Sequence, residues 1–228
     1  MPVLPRSLRR TALAAVLALL PAAAPAGVSI LATAGGETAA PAAALTPAEA
    51  AALNGPQALP DVVEGKADAP ATIVEYASMT CGHCAAFHKD VWPALKAKYV
   101  DTGKAKFILR EFPLDRLALA AFMLARCAGP DKRDAVVDRL FDHQADWAFV
   151  DNPLPKLREQ TSAAGLSAAD FKACLENRKL LDAVRSMGDG ASTKLGVNST
   201  PAFFVAGKRL AGDHSLAKFD AILEPAAK

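Results

Sequence analysis

Cys81-Gly82-His83-Cys84 is the stretch of this chain best equipped to do chemistry. Two thiols at this spacing can make and break a disulfide with each other, and so exchange it with other thiols. The apolar run Ala71-Thr72-Ile73-Val74-Glu75-Tyr76-Ala77 before them reads as a buried strand, and Ala85 to Trp92 after them reads as a helix. The dithiol therefore sits at a strand-to-helix junction. A helix N-terminus carries partial positive charge and unpaired N–H groups, which stabilise a thiolate on the first cysteine. That makes Cys81 the expected nucleophile and Cys84 the resolving thiol. His83 lies between them, where a partly positive imidazole would favour the thiolate. Glu75 is an acid inside an apolar strand, a costly placement unless it has a task.

Other uses of these residue types are a structural disulfide or a metal site. The chain has 4 cysteines and 4 histidines, enough in principle for zinc or copper on Cys81, Cys84 and His83. Cys127 and Cys174, however, are not spaced as a second CxxC and fall on helical patterns. Each lies on an apolar helical face, Cys127 with Met123 and Leu124, Cys174 with Phe171 and Leu175. Four cysteines permit three connectivities, and the sequence alone does not choose. Local spacing favours Cys81 with Cys84, leaving Cys127 with Cys174 as a staple whose long loop would contribute roughly 4 kcal/mol in the chain-entropy model. Buried free thiols are the alternative. His88, His143 and His214 read as surface or packing residues. Gln144 and Trp147 read either as groove lining or as packing.

The elements that must position the dithiol can be followed along the chain. Asp61 to Gly65 is a short strand candidate, and Ala67 to Pro70 a turn. Thr72 to Ala77 is the central strand, a helix runs from Cys81 to about Val100, and Ala105 to Phe112 is the next strand after the break at Gly103. A strand–helix–strand unit of this kind predicts a parallel pair with a crossover. From about 114 to 195 apolar residues recur at helical spacing (Leu117, Ala120, Ala121, Leu124, Ala128), too long for one crossover helix and therefore an inserted helical subdomain. Ala202 to Val205 is a strand, Ala206 to Arg209 a hairpin turn, and Ser215 caps a last helix to about Leu223. The whole is an α/β layout with helices covering a sheet.

The N-terminal segment reads as targeting rather than fold. Arg6, Arg9 and Arg10 precede the apolar run Thr11 to Leu20, Pro21 ends it, and small-x-small cleavage sites follow near 26 and 34. Residues 1–34 are thus read as an export signal, with an uncleaved anchor as the alternative. Arg9-Arg10 raises a twin-arginine route beside the general one. Residues 35–58, rich in Ala and Pro, read as a tether, within which Thr46-Pro47-Ala48-Glu49 has the form of a capping box opening a short helix to Leu53. The folded domain is expected over 59–228. The 228-residue chain has a formal charge of +2 with its Lys and Arg spread among acids, which points away from nucleic acid. Export would place the cysteines where disulfides persist.

A-P-A-T-I-V-E-Y-A-S-M-T-C-G-H-C, then F-x-L-R-E-F-P-L-D, the helical insert and L-G-V-N-S-T-P-A-F-F-V-A-G-K together resemble the DsbA-like thiol–disulfide oxidoreductases over about 60–224. The resemblance implies a thioredoxin-like fold with an inserted helical subdomain. It makes Cys81 the exposed attacking cysteine and Cys84 the buried one, matches Pro201 to the cis-proline beside the dithiol with Thr200 before it, and matches Glu75 to a buried acid that relays protons to the second cysteine. Gly82-His83 departs from the Pro-His of strong oxidants and is the dipeptide of disulfide isomerases. A second cysteine pair occurs in some members and can tune the first.

The expected function is an exported, periplasmic or extracytoplasmic oxidoreductase that introduces disulfides into reduced exported proteins at Cys81–Cys84. No bound cofactor is implied. The family suggests reoxidation by a quinone-linked membrane oxidase. A monomer is expected. An isomerase or reductase of the same fold, a copper- or zinc-binding module and a non-catalytic peptide-binding scaffold are the alternatives.

Overall fold

The computed structural model describes residues 42–226. The export signal read at 1–34 lies outside them. Five strands form one sheet in the order β1-β5-β4-β2-β3: β1 (Ala43–Ala44), β2 (Ala71–Ala77), β3 (Ala105–Glu111), β4 (Ala202–Val205) and β5 (Lys208–Arg209). β2 and β3 run parallel with Ile73 opposite Phe107, and β4 runs antiparallel to β2 with Glu75 opposite Phe203. β2 is central and covered on both faces, which is why its sequence is a nearly continuous apolar run.

Side-chain alternation splits the core in two. Ile73, Ala77, Phe107, Leu109, Phe203 and Val205 point to one face, into the larger core with Cys84, Phe87 and the helical insert. Val74, Tyr76, Ile108 and Phe204 point to the other, against Leu53, Ala191 and Leu195. Glu75 has the parity of the first face, so its carboxylate is committed to the side on which the dithiol helix lies.

That helix is α2 (Gly82–Asp90), and the continuous helix expected to Val100 is interrupted. Pro93 has no N–H to donate and restarts the chain as the short α3 (Trp92–Leu95), followed by a π-helical turn at Lys96–Val100. The helical insert comprises α4 (Arg116–Cys127), α5 (Pro130–Asp142), α6 (Gln144–Trp147), α7 (Pro153–Ala163), α8 (Ala168–Leu175) and α9 (Arg178–Leu195). α10 (Leu216–Ala226) closes the described chain. Cys127 and Cys174 are joined by a disulfide that ties α4 to α8.

Two boundaries differ from expectation. Within the stretch read as a tether, 42–58, β1 pairs with β5 and α1 (Pro47–Asn54) packs on the sheet through Leu53, which is 4% exposed. The Thr46 capping box forms, and the Arg110 guanidinium, paired with Asp61, also donates to the Leu53 carbonyl. One buried leucine and a fixed helix start are enough to fold a segment whose composition is that of a linker. Conversely, the strand expected at Asp61–Gly65 is reduced to a single bridge between Glu64 and Phe107.

Candidate active site

The Cys81 side chain caps α2. Its backbone is extended (φ −86°, ψ 114°), and its sulfur accepts the Cys84 backbone N–H at 3.3 Å. The helix dipole and its first free N–H groups thus converge on one sulfur. Cys84 lies a turn into the helix on the buried face, with no exposure, whereas Cys81 retains 8%. Both are free thiols. The loop that delivers them is held from the helical insert. Gln144 Nε2 donates to the carbonyls of Met79 (2.9 Å) and Cys81 (3.1 Å), and the Thr80 hydroxyl donates to Asp115, the cap of α4, at 2.6 Å. Gln144 is therefore a support for the dithiol loop; its burial, at 5% exposed, is what the sequence did not disclose.

Across from the dithiol, the Thr200–Pro201 peptide is cis. The Cys81 thiol donates to the Thr200 carbonyl at 3.3 Å. The Thr200 hydroxyl is buried without a partner among the described residues, so it is free to turn and donate to a thiolate. A groove of about 550 Å³ runs past this point, lined by His83, Phe87, Thr200, Pro201 and His214 among others. His83 is exposed at its edge.

These contacts separate the two thiols chemically. Hydrogen bonding from the Cys84 side chain, against the opposing effect of burial and with help from Thr200 and the Cys84 and His83 N–H groups, lowers the Cys81 pKa to about 6. Burial, then the bond to Cys81 and the Glu75 charge, pushes the Cys84 thiol far up. Where His83 acts on Cys81 here, it acts through its backbone N–H. A thiolate poised for attack and a neighbour held protonated are the two halves of a dithiol exchange site. Among the described residues no three His, Cys, Asp or Glu side chains converge as a metal site.

Glu75 is fully buried, and its Oε2 lies 2.8 Å from His88 Nε2. His88, expected at the surface or in packing, is 6% exposed and stacked on Phe141 at 4.4 Å. The available signal was its spacing: it follows Cys84 by one helical turn and so shares its face. His143, by contrast, is half-exposed beside Asp146, and His214 packs on Phe203.

A family model described as thioredoxin matches residues 57–225. The chain belongs to that family. Within it, the chain is DsbA-like: it is 31% identical to Wolbachia pipientis alpha-DsbA1, with a TM-score of 0.71 over 77% of this chain and 94% of that one. A Rickettsia typhi protein whose name describes a protein-disulfide oxidoreductase is 33% identical over 148 residues, 64% of this chain and 55% of that protein. This chain thus matches only about half the length of that relative. Disulfide bond formation protein D of Bacillus subtilis is 26% identical over 72% of this chain and 75% of that protein.

Proposed function

We propose that this protein is a disulfide-introducing thiol–disulfide oxidoreductase acting on reduced exported proteins through Cys81 and Cys84. The observation that carries this reading is the asymmetry of the pair: Cys81 lowered to about 6 at the helix cap, Cys84 buried and pushed up. A client thiolate attacks Cys81 Sγ of the disulfide form. The client S–Sγ bond forms, the Cys81–Cys84 bond breaks, and its electron pair leaves on Cys84, which takes a proton. A second client thiolate attacks the client sulfur of the mixed disulfide, the electron pair leaves on Cys81, and the client departs oxidised by two electrons. The readily formed Cys81 thiolate is a good leaving group and stabilises the reduced enzyme, which favours oxidation of the client. His83, Phe87, His214 and the Thr200–Pro201 loop line the groove in which an extended client segment lies beside Cys81.

The N-terminal pattern supports export to a periplasmic or other extracytoplasmic compartment, and reoxidation then falls to a membrane-bound thiol oxidase. Among the described residues no helix is long and apolar enough to cross a membrane. Mixing the oxidised protein with a reduced dithiol peptide tests the reading. One equivalent of peptide disulfide should form per Cys81–Cys84 pair, and none with Cys81→Ser. Equal turnover by Cys81→Ser would overturn it.

A further inference from the structure

Beside the dithiol loop lies another cleft, which the exchange cycle does not use. It holds about 320 Å³ between the turn linking β3 to α4 and the side of α9 that faces it. β2 and β3 are parallel, so that turn and the dithiol leave the same end of the sheet. Two hydrogen bonds fix the turn to the residues just before Cys81. The Thr80 hydroxyl donates to Asp115 at 2.6 Å, and the Leu114 N–H donates to Ser78 Oγ at 3.3 Å. Cys81 itself donates to the Thr200 carbonyl, on the wall of the groove already described. Consecutive residues, Thr80 and Cys81, thus bond to the linings of two different cavities, and the dithiol loop separates them.

The cleft offers both apolar surface and cations. Phe112, Pro113 and Leu119 line it, and Leu114 beside them is 54% exposed. Glycine inside a helix is unfavourable. At Gly188 of α9 a Cβ would lie 3.5 Å from Pro113 Cδ, and any longer side chain would crowd that wall. Arg116 and Arg185 also line the cleft, and both are exposed. The arginines paired with carboxylates among the described residues are Arg110, Arg126 and Arg133, not these two. Arg116 is the first residue of α4, at the positive end of the helix dipole, where a cation is disfavoured. Residues that break a local rule without local gain concentrate at functional sites. Asp115 does not answer the arginines, since its Oδ1 accepts the Ala118 N–H at 2.8 Å and its Oδ2 the Thr80 hydroxyl. Asp189 lies one helical turn past Arg185, with no ion pair to it among the described residues.

We propose that this cleft is a second client subsite, which takes an apolar side chain of the reduced client with a carboxylate beside it. This rests on the exchange reading above and extends it. The groove along Pro201 holds the client on one side of the reacting sulfurs, and the cleft holds it on the other. The apolar side chain packs against Phe112, Pro113 and Leu119, and the carboxylate meets Arg116 and Arg185, whose forked donors match its geometry. The occupant is a client rather than a second copy of this chain because the cleft is tied to the loop that carries Cys81. A client held in the groove reaches the cleft without a separate encounter. Holding it at both places lowers the cost of bringing its thiol to Cys81. Clients with an acidic, apolar segment near a cysteine pair are therefore oxidised in preference to others.

The test measures how fast the oxidised protein converts reduced dicysteine peptides to their disulfides, by acid quench, thiol alkylation and intact mass. The peptides carry Leu-Glu, Ser-Glu, Leu-Gln or Leu-Lys at successive positions on either side of the cysteines. On one side only, Leu-Glu should react at least about tenfold faster than Ser-Glu. There it should also react about threefold faster than Leu-Gln, a ratio that shrinks as salt rises. With Arg116→Glu and Arg185→Glu together, the charge preference should invert in favour of Leu-Lys, while dithiothreitol, too small to reach the cleft, should react within about twofold of its wild-type rate. Equal rates for all peptides, or a preference that is the same at every position, overturn the proposal. So does a charge reversal that slows dithiothreitol and every peptide alike, which would make the arginines structural. A reversal that leaves the peptide ratios intact also overturns it, and if it dissociates a wild-type dimer in sedimentation, a second copy is the occupant. A wild-type protein that oxidises neither dithiothreitol nor any peptide refutes the exchange reading itself, whereas normal oxidation of dithiothreitol without peptide preference refutes only the subsite.

Discussion

Acidification should expose the Cys81 thiolate by the way its reactivity fails to fall. With the pKa at about 6, the thiolate fraction is about 0.9 at pH 7 and about 0.24 at pH 5.5. An ordinary cysteine thiol, near 8.5, holds about 0.03 and about 0.001. A less basic thiolate is also a weaker nucleophile, by about 13-fold for this difference at a Brønsted slope near 0.45. The two effects nearly cancel at pH 7, leaving Cys81 about twofold faster than a free thiol. At pH 5.5 ionisation wins, and Cys81 should be roughly 20-fold faster; above about pH 8.5 nucleophilicity wins, and it should be slower. The assay is site-resolved alkylation by iodoacetamide, with glutathione as the reference thiol in the same tube. A midpoint at 8.5 or above, or alkylation of Cys84 over the same range, would refute the assignment of the two thiols. Linkage carries the same sign. The folded value lies below the unfolded one, so the thiolate stabilises the reduced protein fully above about pH 8.5, and the contribution disappears as pH falls through about 6.

Opening the Cys127–Cys174 disulfide with paired serine substitutions frees a loop with a sequence separation of 47, for which chain entropy predicts a loss of about 4 kcal/mol in urea unfolding. A loss under about 1 kcal/mol would mean that packing of α4 on α8 suffices without the bond. Gln144→Leu unties the Met79 and Cys81 carbonyls. It should cost about 1–3 kcal/mol and, by loosening the loop that aims the Cys81 sulfur at its donors, shift the alkylation midpoint upward; an unchanged midpoint would show the loop self-supporting. Arg133→Leu removes one of the two guanidiniums on the fully buried Glu111, and stranding part of that charge should cost about 3 kcal/mol by the same unfolding measurement.

What the sequence disclosed and what it hid follow from how local each determinant is. The dithiol at a helix start, the two-faced strand β2 and the helical insert are written in neighbouring residues: an apolar run, a cysteine as cap, recurrences at three and four. The Glu75–His88 contact joins residues 13 apart through the packing of α2 on the sheet. Only the parity of Glu75 and the helical spacing from Cys84 hint at it, and a lone histidine on an amphipathic helix more often packs than pairs. Gln144 reaches the dithiol loop across 63 residues, with no pattern to mark it. The break at Pro93 was legible in principle, since a proline inside a helical run removes a donor. The folding of 43–54 was hidden by composition: alanine and proline look like a linker until Leu53 finds the groove above Tyr76 and Ala191.

The most direct test of the account is the equilibrium of the Cys81–Cys84 pair with glutathione, Cys127 and Cys174 left intact. A Cys81 pKa of about 6 lies between the values of about 3.5 and about 7 that accompany strongly oxidising and reducing pairs. The potential should accordingly lie between about −120 and about −270 mV, at about −230 mV by interpolation, which still gives disulfides to clients whose structural disulfides lie below about −300 mV. A value near about −270 mV, or no exchange with glutathione at all, would contradict it.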